Sequence, residues 1–264
     1  MAGRSDPIAI VTGAGSGIGQ ATAVELVRAG VHVIAAGRRI AALEETAALA
    51  GGAVSCVGAD VSTVEGRDAI LAALAGRPLS YLLHGAAISP ANLMTAPDAA
   101  AVWQETMRIN LDSLFHLTLL LAPALGKGGR VLFVGSNSAS KPRRGGAAYC
   151  VSKAAGHMLY RCLKLELGDQ GILMTSAIPS PVYTAIVRDH MDADPGVFPD
   201  GADYARQLAA GQMIAAETVG SFYRWLLCDT ADARFAAEQW NIQDPAHRAD
   251  WLQGPLFIPA TQAD

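Results

Sequence analysis

Tyr149 and Lys153 stand four residues apart in a segment, Tyr149–Leu167, whose apolar residues recur at helical spacing. A helix there puts both on one face. A tyrosine with a pKa near ~10 is a poor proton donor or acceptor at neutral pH. A nearby ammonium favours the phenolate and draws that pKa toward the range where proton transfer is efficient. Ser136 lies just past an expected strand, and a serine hydroxyl brought near the pair could donate to a carbonyl oxygen while the tyrosine delivers a proton. Tyr-x-x-x-Lys alone arises often by chance, and a surface pair on one helix is the plain alternative.

A second chemical feature is Thr12-Gly13-Ala14-Gly15-Ser16-Gly17-Ile18-Gly19. Glycines let a turn close tightly and let backbone approach a diphosphate without a Cβ between them. The next helix offers free N–H groups and its positive dipole end. The cluster lies between an expected strand and an expected helix, the context that favours a dinucleotide site over a plain turn. No lysine comes after it as in the G-x-x-x-x-G-K-[ST] phosphate loop.

The elements that must position these residues alternate. Ile8–Thr12, Val31–Ala36, Val54–Val57, Tyr81–His84, Arg130–Gly135 and Ile172–Ile178 read as buried strands, with Ala236–Ile242 a possible seventh. Helices are expected over Ile18–Ala29, Ile40–Ala50, a segment capped by Ser62 or Thr63 and running to Ala75, Ala99–Pro123, Tyr149–Leu167 and Ala215–Leu227. Leu111–Leu121 is apolar nearly all round and should be buried against something. Strand–helix alternation implies a parallel sheet covered on both faces. With no repeat, linker or low-complexity stretch, residues 1–264 are expected to form one domain. Two regions break the rhythm: 179–211, too long for an ordinary connection, and the tail 244–264, with Trp251, Phe257 and three prolines.

Composition narrows the function. The chain has 264 residues, 51% hydrophobic and 17% charged, which excludes a disordered chain and leaves more apolar material than one interior obviously needs. A net charge of −4 and no basic stripe argue against nucleic acid. Cys56, Cys150, Cys162 and Cys228 show no metal-ligand spacing, so no metal is expected and they read as reduced thiols. No apolar run reaches the ~18–20 residues that span a bilayer. The N-terminus lacks a signal-peptide core, so the cytoplasm is the expected location and no membrane partner is expected.

The threonine-led turn, T-G-x-x-x-G-x-G at Thr12, Gly13, Gly17 and Gly19, resembles that of the short-chain dehydrogenase/reductase family in its compact form. The resemblance covers roughly residues 7–243. It implies a three-layer α/β/α Rossmann fold, a mostly parallel, doubly wound sheet of about seven strands. It also implies an enzyme moving a hydride between a nicotinamide and a ketone or secondary alcohol. Ser136 has the family's serine spacing to Tyr149, with Ser138 the second candidate. Lys153 is implied to lower the tyrosine pKa and hold the ribose. Asn110 matches the asparagine that disrupts a helix and holds a water in a proton relay. Gly13, Ser16, Gly17, Ile18 and Gly19 are implied at the diphosphate, and Ala86 at the ribose. Asp60-Val61 resembles the adenine contact, though Asp60 could be a simple turn residue. Pro179, Val182 and Thr184 match the P-G-x-V-x-T stretch along the nicotinamide, with Ser180 in place of its glycine.

The second expected strand ends at Gly37-Arg38-Arg39, where an acidic residue would bond a free ribose 2′-hydroxyl. A glycine followed by arginines favours a 2′-phosphate, so NADP(H) is expected over NAD(H), unless both arginines are merely solvated. His84-Gly85-Ala86-Ala87 departs from the family's Asn-Asn-Ala-Gly, and His84 could replace an asparagine hydrogen bond. The C-terminal strand departs too. Ile88, Ser138, Gly146 and Ser180, with Arg143 and the 185–211 loop, are expected to wall a small-molecule pocket; Arg143 or Arg144 could bind an anionic group, though solvated arginines are the plainer reading. The stretch 111–121 and the Tyr149 helix match helices that family members pair between subunits. A homo-oligomer is therefore expected, as a tetramer, with Trp251 and Phe257 as further contacts. A non-catalytic dinucleotide-binding regulator or redox sensor is the alternative on the same fold. An epimerase or dehydratase of the larger sugar-nucleotide type is less consistent with the glycine spacing.

Overall fold

The computed structural model describes residues 6–236 and 239–260. Strands β1 (Ile8–Thr12), β2 (His32–Gly37), β3 (Val54–Gly58), β4 (Tyr81–His84), β5 (Arg130–Val134), β6 (Leu173–Ile178) and β7 (Gln239–Asn241) form one sheet. Their order is β3-β2-β1-β4-β5-β6-β7, and every pairing is parallel. Apolar strands of this kind are covered on both faces, and successive residues of β1 serve opposite layers. Ala9 and Val11 pack with Leu26, Phe222, Trp225 and Leu226, while Ile8 and Ile10 pack with Leu82, Leu117, Phe133, Tyr160 and Leu163. The result is the expected three-layer Rossmann fold.

Helices α1 (Gly17–Arg28), α2 (Ile40–Ala50) and α3 (Val64–Ala73) fall where the apolar periodicity places them. Of the two cap candidates, Thr63 starts α3, its side chain accepting from the Gly66 N–H at 3.0 Å. The expected helix 99–123 is α4 (Ala99–Met107) and α5 (Ser113–Leu125), joined by a π-helical turn at Arg108–Asp112. Helix α6 (Ala147–Gly168) carries Tyr149 and Lys153. Helix α9 (Ala216–Cys228) comes after β6 and two short helices.

Two expectations change. Residues 179–211 are not an irregular loop: α7 (Ala185–Met191) and α8 (Gly201–Ala209) fold there, burying Val187, Phe198 and Leu208. Short apolar spacing interrupted by prolines hid them. Within Leu111–Leu121, Leu117 and Leu121 enter the core while Phe115 and Leu119 are exposed on the single chain. Trp251 is not free for a subunit contact. It is 5% exposed, packed 4.9 Å from Phe222, and donates to His247 Nδ1 at 2.9 Å. Helices α10 (Asp232–Phe235) and α11 (Arg248–Trp251) complete the C-terminal region. Of the expected seventh strand, Ala237 and Glu238 lie outside the described residues, as do 1–5 and 261–264 of the termini. Among the described residues no helix is long and apolar enough to cross a membrane.

Candidate active site

The strand order reverses between β1 and β4, and in open parallel sheets the crevice at the carboxyl ends of such strands is where ligands sit. A cleft of about 330 Å³ opens there, lined by the segments beyond six strands: the glycine turn after β1, Gly37–Arg39 after β2, Asp60 and Val61 after β3, Ala86 and Ile88 after β4, Ser136 and Ser138 after β5, and Pro179–Thr184 after β6. Gly146, Tyr149 and Lys153 of the α6 region line it as well. Of the residues nominated from sequence, only Asn110 lies outside this lining.

The turn after β1 is too tight for side chains. Gly13 has φ +71°, and a Cβ there would lie 2.8 Å from the Gly85 and Ala86 backbone. A Cβ on Gly19 would lie 2.3 Å from the Gly13 carbonyl oxygen. Ser16 precedes α1 in an extended conformation, and its side chain makes no capping bond. The first N–H groups of this twelve-residue helix thus face the cleft across a surface stripped of Cβ atoms, a cradle that fits a dinucleotide diphosphate.

At the far end Arg38 and Arg39 are exposed and form no ion pair among the described residues. Their donors fit a phosphate. Asp60 accepts from the Ser62 N–H at 2.8 Å, so one oxygen serves the turn role. Its pKa is lowered overall: burial, the largest single influence, raises it, but the Ser62 bonds with Arg38 and Arg108 outweigh that.

Ser136 and Tyr149 are hydrogen-bonded through their side chains, and Ser136 Oγ also accepts from the Ser138 N–H at 3.1 Å. Lys153 Nζ lies 5.6 Å from the Tyr149 ring centre and donates to the Val134 carbonyl at 3.0 Å. Burial pushes the Tyr149 phenol up to about 12, against the lowering influence of its Ser136 bond. Burial brings the Lys153 ammonium down to about 8. Burial is the largest influence on the phenol and the influence that sets the ammonium.

Asn110 sits in the π turn, 1% exposed. Its side-chain oxygen accepts from the Ile88 N–H at 2.9 Å, and its amide donates to the Ile88 carbonyl at 2.8 Å and to Ser152 Oγ at 3.1 Å. The amide therefore pins the segment after β4 to α6. A chamber of about 20 Å³ behind the cleft is lined by Asn110, Lys153, His84 and Ser176, room for one water. His84 Nε2 bonds Thr118 Oγ1 at 2.9 Å, tying β4 to α5, and the ring stacks on Phe133. Burial, helped by Lys153, holds its pKa down to about 3, so the imidazole is neutral. His84 thus does the tying work expected of an asparagine.

Val182 makes an isolated parallel bridge to Ile214, and Thr184 caps α7 by position, its side chain free of any capping bond. Ser180 holds a left-handed backbone with φ +62°, the conformation a glycine would take. Over this end of the cleft lie α7 and α8. Arg143 is not solvated: its Nε donates to Ser138 Oγ at 3.1 Å, it pairs with Asp200, and it lies over the Tyr204 ring. Arg144 donates to the Gly196 carbonyl at 3.1 Å. His190 belongs to this wall and was not nominated from sequence. A lone histidine carries no signal there until α7 is known to face the cleft.

The family model "short chain dehydrogenase" matches residues 7–194. Serine 3-dehydrogenase of Agrobacterium fabrum is 33% identical over 178 residues, 66% of this chain and 72% of that protein. D-erythrulose reductase of Gallus gallus is 31% identical over 183 residues, 68% of this chain and 73% of that protein. Among solved structures, an actinorhodin polyketide ketoreductase variant with NADPH superposes with a TM-score of 0.78 at 26% identity, covering 91% of this chain and 97% of that one.

Proposed function

This chain belongs to the short-chain dehydrogenase/reductase family of oxidoreductases, and we propose that it is an NADP(H)-dependent carbonyl reductase. The observation that carries the reading is one continuous cleft with Ser136, Tyr149 and Lys153 in it and Gly37-Arg38-Arg39 at its far end. Gly13, Ser16, Gly17, Ile18 and Gly19 would hold the diphosphate. Arg38 and Arg39 would hold a 2′-phosphate, Asp60 and Val61 the adenine, and Ala86 and Lys153 the ribose. Pro179, Val182 and Thr184 would border the nicotinamide. That ring, when bound, supplies or accepts the hydride.

The chain's own residues handle the proton. Ser136 Oγ donates a hydrogen bond to the substrate carbonyl oxygen, and Tyr149 Oη transfers its proton to the same oxygen as it becomes an alkoxide. Burial keeps the phenol in its protonated form, the form that donates. Lys153 would refill the phenolate, and a water in the chamber lined by Asn110 and Lys153 would supply the next proton. Asn110 itself acts by fixing Ile88 and Ser152 around that path.

The unit of function is one domain in a homo-oligomer, proposed as a tetramer. Phe115 and Leu119 of α5 are exposed, as are Val151, Met158 and Leu165 of α6. The last three recur every seven residues, so they form one stripe. Initial rates of NADPH and NADH oxidation with a panel of ketones test the reading. NADPH-linked reduction is expected, and activity with NADH alone would remove the role given to Arg38 and Arg39.

A further inference from the structure

Among the described residues four buried side-chain polar atoms have no hydrogen-bond partner, and two of them, Ser180 Oγ and His190 Nδ1, belong to residues lining the cleft. His190 is 5% exposed. Its Nε2 lies 2.8 Å from the Ser89 carbonyl oxygen and 3.1 Å from Ser89 Oγ. A carbonyl can only accept, so Nε2 carries the proton, and in the neutral ring Nδ1 is a bare acceptor. The ring is neutral because burial lowers its pKa, with Arg143 adding to that and Ser89, Asp189 and Asp200 opposing it incompletely. Phe198 at 4.2 Å and Tyr204 at 6.1 Å stack with it and fix its plane.

A buried acceptor left unpaired keeps its full desolvation penalty, and native proteins pair nearly all such groups. The missing partner of Nδ1 must bring a donor hydrogen. Arg143, the cation on this wall, does not supply it: its guanidinium bonds Ser138 and Asp200 instead. That ion pair also cancels the charge that would attract a carboxylate. Ser180 Oγ, kept at a left-handed position where a hydroxyl has no internal partner, is a second unmatched polar group in the same cleft.

Resting on the carbonyl-reductase reading, the structure assigns His190 as a specificity-determining residue that accepts a hydrogen bond from a hydroxyl group of the substrate. The substrate class is then an uncharged hydroxyketone: its carbonyl oxygen meets Ser136 and Tyr149, and its O–H donates to His190 Nδ1. Ser180 Oγ adds a polar contact on the same substrate.

The test uses the full-length protein with NADPH and five probes: 2-hexanone and the hydroxy-2-hexanones bearing the hydroxyl on carbon 1, 3, 4 or 5. The readout is the ratio of kcat/KM for the best hydroxyketone to that for 2-hexanone. A ratio of about tenfold or more is expected for one buried hydrogen bond. His190→Gln places an amide near the Nε2 position, keeping a donor for Ser89 but removing the acceptor at Nδ1. Its ratio is expected to fall to near one, mainly through KM. His190→Asn places an oxygen near Nδ1 and is expected to restore much of the ratio. Ser180→Ala leaves the His190 ring packing alone and is expected to lower the ratio by a smaller factor. A wild-type ratio near one, or a ratio kept intact in His190→Gln, overturns the assignment while leaving the reductase reading in place. No turnover of any probe with either NADPH or NADH overturns both.

Discussion

Replacing Ser180 by glycine is expected to stabilise the protein. Ser180 has φ +62°, a left-handed backbone that costs a residue with a Cβ about 1–2 kcal/mol. Glycine removes that cost but returns about 0.5–1 kcal/mol through the greater freedom of its unfolded chain. The substitution also deletes a buried hydroxyl with no partner, worth about 1 kcal/mol at the low end of the usual range because the residue is only half-buried. The net gain is about 1–2 kcal/mol. With an unfolding entropy of about 2.1 cal/mol/K per residue, a chain of this length shifts by roughly 2 °C per kcal/mol. Scanning calorimetry should therefore show Tm raised by about 2–4 °C for Ser180→Gly. Ser180→Ala is the control, since it removes the hydroxyl and keeps the backbone cost. Its Tm should fall below that of the glycine variant. A glycine variant at or below the alanine variant would refute the left-handed strain. If the hydroxyl serves the substrate, the more stable variant should also discriminate less among hydroxyketones.

Lys153, lowered by burial to about 8, binds its proton less tightly when folded, so the folded chain sheds it first and stability rises with pH above about 8. Wild-type Tm should gain on that of Lys153→Met between about pH 7.5 and 9.5; the window stops short of ~10, where ionisation of the unfolded tyrosine acts in the opposite sense. Arg38→Asp should lower the NADPH to NADH ratio of kcat/KM by about ten- to a hundredfold, the range of a charge-assisted phosphate contact; an unchanged ratio removes Arg38 from the cofactor site. Met158→Glu with Leu165→Glu should reduce the assembly measured by light scattering; a wild-type monomer at micromolar concentration would leave the exposed stripe of α5 and α6 without this role.

The parts of the molecule legible in its sequence are those where a local rule had one answer. Gly13 and Gly19 sit where backbone approaches within the reach of a Cβ, so no other residue fits, and their spacing named the turn. The buried strands read as short apolar runs because both faces of the sheet are covered. Tyr149 and Lys153 shared a helix face by spacing alone. The features that escaped depended on tertiary placement. How far Lys153 acts on Tyr149 depends on the burial of both groups, which their spacing in the sequence does not reveal. Trp251 has the composition of a subunit contact, yet His247 and Phe222 hold it within the chain. His190 and the helices around it were hidden in a proline-broken stretch with no sustained period. Arg143 looked solvated because its partners, Ser138, Asp200 and Tyr204, lie on different elements.

Tyr149 gives the proton to the reduced carbonyl in the proposed reaction, and everything else in the site is arranged around that transfer. Steady-state reduction of a ketone by NADPH with Tyr149→Phe, beside a fluorescence titration of NADPH binding, tests it most directly. Turnover should fall by about 10²–10⁴-fold, the usual contribution of a positioned proton donor, with NADPH affinity little changed. Turnover within tenfold of the wild type, at equal cofactor binding, would contradict it.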